Sequence, residues 1–431
     1  MRGAAYEKKR KGQPVKHKRS LLAVSAIGLT ATLLPLLGVA QAGADYAPQP
    51  GDIVGVGGDT PQYALDFGLN GDPQGDVGYD ASASVNRVVS FDATPDANGR
   101  KAYTNSVSTG VASVALNPTE ILRSGELPTP RITSSSGSIA AILADYNSAN
   151  PSQAEKINYI FSASLPTSAQ QTQAANQGWG YLHAVEIGTD TEQIAVDSTT
   201  TNAPAGLSTA ELLQIFEGNY KTWNQIPGYT GANGSQSIVL DLPSSTSTIY
   251  TTFLAALTAA NSNVVPTAGS GVVHTVEQND PSVITSSANS ANVIVPFSAA
   301  RLTLWNENIV PASGSTPAIN GFFTNPGPGA SPIAWPGGSP QTPGVTLLSG
   351  TAPDAGSAFS APITDYVLFR NSDATGGSPL QPGGTLNWVQ SLFSNPGGST
   401  PFFDKASTKA IIDESGITAN YQDLGNVTNG S

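Results

Sequence analysis

Apolar and polar positions along this chain fall into blocks that repeat one order: a short apolar run, a turn rich in glycine and hydroxyls, then a helical pattern. Residues 52–58 ("DIVGVGG") predict a buried strand ending in a glycine-rich turn. Residues 59–69 ("DTPQYALDFGL") predict a helix capped by Asp59 or Thr60, with Pro61 in its first turn. "RVVSFDA" (87–93) and "INYIFSAS" (157–164) read as strands, and "RITSSSGSIAAILADY" (131–146) as hydroxyls opening a helix. "LHAVEIGTDTEQIAVD" (182–197) contains two strand-like runs. In 208–226, Ser208 followed by Glu211 is a capping pattern that starts an amphipathic helix. "SIVLDLP" (237–243) is a strand leading to "SSTSTIYTTFL", and "ANVIVPFSAARLTLW" (291–305) is a strand followed by a helix. The pattern resumes at "APITDYVLFR" (361–370) and "LNWVQSLF" (386–393), after a Gly/Pro/Ser-rich tract at 311–360 that reads as long surface loops or a flexible linker. Strand, turn and helix in alternation predict an α/β chain with mainly parallel sheets, in which ligands sit where strands meet helix N-termini.

The N-terminal residues differ from this pattern. Eight Lys/Arg precede an apolar run that ends in Ala-Gln-Ala before Gly43. A basic segment, an apolar core and small residues at the exit predict a secretory signal peptide over 1–42, followed by a leader over 43–51. Pro35 within the run and the Ala-Gln-Ala exit favour cleavage over a membrane anchor. No Cys occurs in the chain, which excludes a lipid-modified Cys, a disulfide framework and a thiolate metal site. Cleavage would leave 11 Lys/Arg against 30 Asp/Glu, a net charge of −19, which argues against nucleic-acid or anionic-membrane partners. Only His183 and His274 would remain, so a His-based triad or metal centre is not expected.

Four turns carry the candidate chemistry: 57–60, 135–138, 158–162 and 244–247. At 244–247 the hydroxyls stand before a helix with no Lys or Arg among them, and unpaired helix N–H groups with a partial positive charge can hold an anion. An ordinary Ser/Thr cap explains the same residues. Trp179, Tyr181, Trp223 and Trp305 fit core packing better than ligand stacking. "VEQNDP" (276–281) lacks the spacing of a calcium loop and reads as a solvated turn.

Three segments together resemble the phosphate-type extracellular solute-binding proteins of ABC transporters, in the type II periplasmic-binding-protein superfamily. They are "GVGGDTPQ" (55–62), "LSTAELLQIFEGNYKTWNQI" (207–226) with Gly218 and Trp223-Asn224, and "SSTSTIYTTFL" (244–254). The resemblance implies two α/β lobes, 52–170 plus 298–431 and 171–297, closing by a hinge over an interlobe cleft. It implies a monomeric, non-enzymatic protein without metal or cofactor. Its ligand residues would be Asp59, Thr60, Ser135, Ser136, Asn158, Ser162, Ser244, Ser245, Thr246 and Ser247. Its partner would be an ABC permease. The charges departed from the family pattern: Leu240 stands where an Arg is usual, Leu242 where an Asp is, Ser245 for a Gly, Asn158 for an Asp, and Phe161 for a basic residue. Arg131 and Arg301 are the candidate compensating cations. The implied function is capture of a small oxyanion or neutral polar solute for import. The alternative is a secreted surface or matrix protein that keeps the fold without transport or high-affinity phosphate binding.

Overall fold

The computed structural model describes residues 48–72, 76–81, 86–91, 93, 119–127, 129–146, 155–269, 275–276, 278–306, 344–377, 379–380 and 383–429. Residues 1–42, most of the leader, His274 and residues 311–343 of the Gly/Pro/Ser tract lie outside the described residues.

The strands in chain order are β1 (Ile53–Gly57), β2 (Val88–Phe91), β3 (Thr119–Glu120), β4 (Thr129–Pro130), β5 (Tyr159–Ser162), β6 (Leu182–Asp197), β7 (Val239–Leu240), β8 (Leu242–Pro243), β9 (Thr275–Val276), β10 (Val293–Ser298), β11 (Val345–Leu347), β12 (Ala361–Arg370) and β13 (Thr418–Gly425). Nine described strands form one sheet in the order β2-β1-β5-β12-β6-β10-β7, with β11 and β13 also paired to β6. The fold class is α/β, with a large mixed sheet. β1 runs parallel to β2 and β5, and β10 parallel to β7. β12 and β6 depart from the expected parallel order: β12 is antiparallel to both β5 and β6, and β10, β11 and β13 are antiparallel to β6. Apolar periodicity specifies which residues are buried but carries no information on strand direction. The two runs expected in 182–197 are one strand of 16 residues, long enough to carry partners at both ends.

The helix starts follow local chemistry. Ser208 and Glu211 form the expected capping box for helix Thr209–Phe216, and Thr167 with Gln170 forms another for helix Ser168–Asn176. Asp59 and Thr60 are not the cap of helix Gln62–Asn70; Pro61 occupies that position.

Two apolar clusters flank the middle of β6 and β12. One contains Val185, Ile187, Val367 and Phe369 with Leu65, Trp388 and Phe393. The other contains Ile194, Val196 and Ala361 with Phe216, Trp223 and Phe253. Each fully buried side chain of this size contributes about 1.5–3 kcal/mol. A further cluster joins Tyr63 and Phe67 of helix Gln62–Asn70 to Val293, Val295 and Phe297 of β10. It crosses the lobe boundary expected from the sequence.

Candidate functional site

Between the two flanking clusters, β6 and β12 present polar residues in place of apolar ones. Alternation puts Asp190 and Glu192 on the same face of β6, and the register sets them opposite Ile363 and Ala361 of β12. Asp365 follows two residues later on β12. All three acids are buried.

This strip is built from four directions. From the turn after β1, Thr60 Oγ1 donates to Asp365 Oδ1 at 3.0 Å. From the end of β10, Ser298 Oγ donates to Asp190 Oδ2, and the backbone N–H of Ala300 donates to Asp190 Oδ1 at 3.0 Å. Ser298 Oγ also accepts from the Arg301 N–H at 2.9 Å, at the start of helix Ala299–Asn306. Arg301 is 2 % exposed, and its Nη2 donates to Asp59 Oδ1 at 2.8 Å and to the Asp59 carbonyl at 2.7 Å. Its guanidinium lies over the Tyr63 ring at 4.4 Å. Asn279 bridges the two sides: its amide donates to Asp59 Oδ2 at 2.8 Å, and its oxygen accepts from the Ser298 N–H at 2.9 Å. The solvated turn expected at 276–281 is thus corrected, because Asn279 and Asp280 are fully buried.

The strip holds more acid than base. Burial pushes the Glu192 carboxyl well above its ordinary value, and the neighbouring Asp190 adds to this. Neither Glu192 oxygen has a hydrogen-bond partner among the described residues. Burial also raises Asp365, with Asp190 adding to it and Thr60 opposing. Asp190 is raised by burial against the hydrogen bonds from Ser298 and Ala300. An acid that stays protonated in a low-dielectric site is a hydrogen-bond donor rather than a charge.

A second polar group meets at two helix starts. Ser135 Oγ accepts from the Ala163 N–H at 2.8 Å and shares a hydrogen bond of 3.1 Å with Thr248 Oγ1. These are the first residues of helices Ser135–Ala144 and Thr248–Ala260, so their partially positive ends adjoin. Gly58 lies against the same point, where a Cβ would stand 2.9 Å from Ser135 Oγ. Close approach of the loop is what requires glycine there.

The sequence-predicted residues separate as follows. Asp59, Thr60 and Arg301 join the acid strip, and Ser135 joins the helix-end group. Ser136 is exposed. Ser247 caps its helix by accepting from the Tyr250 N–H at 3.1 Å, while Ser245 and Thr246 are exposed and Ser244 is bonded to Thr246 at 3.2 Å. The residue that reaches across is Thr248. Ser162 closes a turn with Ser164 at the end of β5. Asn158 is not brought to the group. It stands before β5, about 13 Å of strand from Ser162, where Oδ1 accepts from the Val54 N–H at 2.8 Å and from Arg123 Nη2 at 2.7 Å. Arg131 pairs with Glu120 at 3.7 Å and stays with that pair.

Sequence reading missed Asp190, Glu192, Asp365, Ser298, Asn279 and Thr248. A signal was present for three of them: acids inside otherwise strand-like runs, "GTDTEQIAV" and "APITDYVLF". Leu240 and Leu242 are both core residues, at 3 % and 2 % exposure. Leu240→Arg is therefore expected to destabilise the fold by roughly 4 kcal/mol or more, without creating an anion site. Equilibrium urea unfolding checks this; a midpoint unchanged from the parent would contradict it.

No protein-family profile matches the chain, and no curated protein matches it. Solved structures to which it is similar include phosphate-binding proteins. They include an ABC-type phosphate transport receptor from Vibrio cholerae (13 % identity, 66 % of this chain and 84 % of that one, TM-score 0.37). Others are the PstS protein of Borrelia burgdorferi (12 %, 85 % and 98 %, 0.36) and a human phosphate-binding apolipoprotein (15 %, 85 % and 90 %, 0.38). TM-scores this low define no residue-by-residue correspondence, and the site stands on its own geometry.

Proposed function

We propose that this protein is a secreted solute-binding protein whose two halves close over a small neutral polar molecule, at the meeting of Ser135, Thr248 and the strip around Asp365. The lobes would be 52–170 plus 298–431 and 171–297, opening about the core shared by Tyr63, Phe67, Val293 and Val295. The Ser135–Thr248 hydrogen bond would act as the latch that ligand hydroxyls replace. On this reading residues 1–42 are removed on export, and an ABC permease receives the solute.

One observation carries the preference for a neutral ligand over phosphate. The Arg301 guanidinium is held by Asp59, and Asp190, Glu192 and Asp365 lie in the same strip. A dianion there would meet a cation already neutralised by Asp59 and no other basic group placed in the strip among the described residues. Charge-assisted contacts are worth about twice neutral ones, and their loss removes most of what fixes phosphate.

Phosphate is expected to bind the mature chain from Gly43 at millimolar affinity or not at all. The gap from micromolar capture is about 4 kcal/mol. Isothermal titration decides this point, and micromolar phosphate binding would overturn the neutral-ligand reading. A thermal-shift panel of sugars, amino acids and polyols then searches for the solute, since a ligand of the folded state raises the melting temperature. The shared Tyr63–Val293 core also favours the second reading, a surface protein that retains the fold without transport. That reading is supported if no member of the panel shifts the melting temperature.

A further inference from the structure

A separate cavity of about 640 Å³ opens beside His183 and the 395–401 loop, and it shares no residue with the acid strip or the helix-end group. Its volume lies within the range of about 300–1,000 Å³ typical of small-molecule sites. We propose that this cavity binds a neutral polyhydroxylated molecule, a sugar or polyol, between the Tyr421 ring and the carboxylates of Asp404 and Asp423.

The polar groups around the cavity are fixed in place before any ligand arrives. His183, on β6, is 6 % exposed, with Phe369 stacked at 4.8 Å between ring centroids and Tyr181 at 5.9 Å. Its Nε2 meets Asp423 Oδ1 at 2.6 Å, and its Nδ1 meets Asn371 Oδ1 at 3.3 Å. The other Asp423 oxygen accepts from Ser394 Oγ at 2.5 Å. Burial alone would raise the Asp423 carboxyl, but the bonds from His183 and Ser394 outweigh it and hold it below its ordinary value. Ser394 donates to Asp423 rather than to His183, so the three do not form the Ser-to-His-to-Asp relay of a hydrolase triad. The trio fixes the position of the Asp423 carboxylate.

The rim is equally organised. The Asn395 amide donates to the Ser399 carbonyl at 2.9 Å and to Ser399 Oγ at 3.3 Å, folding the loop over Gly397, which has a φ of 75°. Asp404 accepts from Lys409 Nζ at 2.8 Å, and the Tyr421 hydroxyl donates to the Phe393 carbonyl at 2.7 Å.

These partners define the ligand's chemistry. Two carboxylates in the wall repel an anion, which separates this cavity from any oxyanion site. Each carboxylate already has a hydrogen-bond partner, His183 or Lys409, so an incoming cation would have to compete with it. A carboxylate offers about four acceptor positions. The bonds above use only some of them, which leaves acceptor positions for a molecule that donates O–H groups. Tyr421, with Pro396 and Pro401, supplies apolar surface for C–H groups. A molecule that presents hydroxyl donors on its edge and C–H groups on its face is a sugar or polyol.

The test titrates the mature chain with glucose, maltose and glycerol, using saturation-transfer NMR and calorimetry, with phosphate and methylammonium as controls. The expected result is saturable millimolar binding of at least one of the three polyols. Thr400 also lines the cavity, where its hydroxyl is available to a polyol, and Asp404→Asn and Thr400→Ala should each weaken binding by roughly tenfold. Both residues lie at the rim, so the melting temperature of the variants is expected to match the parent and certifies their folding. Absence of saturable binding by all three, preferential binding of methylammonium, or polyol affinity unchanged in both variants would each overturn the proposal. Ser135→Ala is the control for the other site. A polyol whose binding falls with Ser135→Ala but not with Asp404→Asn belongs to the site of the proposed function, and this cavity then loses its support.

Discussion

Glu192→Gln should flatten a decline in stability that is expected of the parent protein as the pH rises. Glu192 is fully buried on β6, neither oxygen has a partner among the described residues, and burial followed by the nearby Asp190 raises its folded-state pKa well above the ordinary value. The sign follows from where the proton is held. In the unfolded chain the carboxyl loses its proton at about pH 4.3, while the folded protein keeps it. Relative stability is therefore complete below the unfolded pKa and is lost as the pH rises toward the folded one. The slope is up to about 1.4 kcal/mol per pH unit for one such group. Asp365, raised by the same causes, adds its own share. A neutral amide in place of Glu192 cannot ionise, so it removes one group's share of the slope. Melting temperatures of parent and Glu192→Gln, measured at several pH values from about 5 to 8, compare the two. Parallel curves would show that the Glu192 proton is not linked to folding.

Arg301→Met should be the most damaging single change within the acid strip. The guanidinium is 2 % exposed and holds Asp59 by its side chain and its carbonyl, tying the turn after β1 to the helix that follows β10. Its removal leaves the Asp59 carboxylate buried without its cation and within electrostatic reach of Asp365. Breaking a buried pair from one side costs about 3–5 kcal/mol, whereas replacing both partners costs much less. Asp59→Asn combined with Arg301→Met is accordingly expected to recover a large part of the loss. A double-mutant cycle by urea denaturation measures the coupling. A loss below about 1 kcal/mol for Arg301→Met would place the pair among ordinary surface ion pairs and remove its role in holding the strip together.

Asp59 and Arg301 were each legible in the sequence as candidates, but their pairing was not. Strands and helices were legible because their signals are local: apolar alternation over a few residues, and a hydroxyl followed three positions later by Glu or Gln. The capping box at Ser208 and Glu211 is a complete example, since all its partners lie within one turn. Ser247 is another, and there the local reading, an ordinary cap, describes what its side chain does. The charge balance, the absence of cysteine and the hydroxyl-rich turns were likewise properties of the chain as written.

The candidate site required the folded molecule, because its contacts join residues far apart in the chain. Thr248 meets Ser135 across 113 positions, Arg301 meets Asp59 across 242, and Thr60 meets Asp365 across 305. No periodicity links such pairs. Strand direction was equally hidden, because an apolar run is buried in the same way whether β12 runs with its neighbours or against them. The sequence by itself determined which segments would be strands and helices, while the acids inside the runs that became β6 and β12 went unread. Only the tertiary structure decided that those acids share one strip with a single arginine, because that is set by sheet order and register, which depend on the packing of the whole chain.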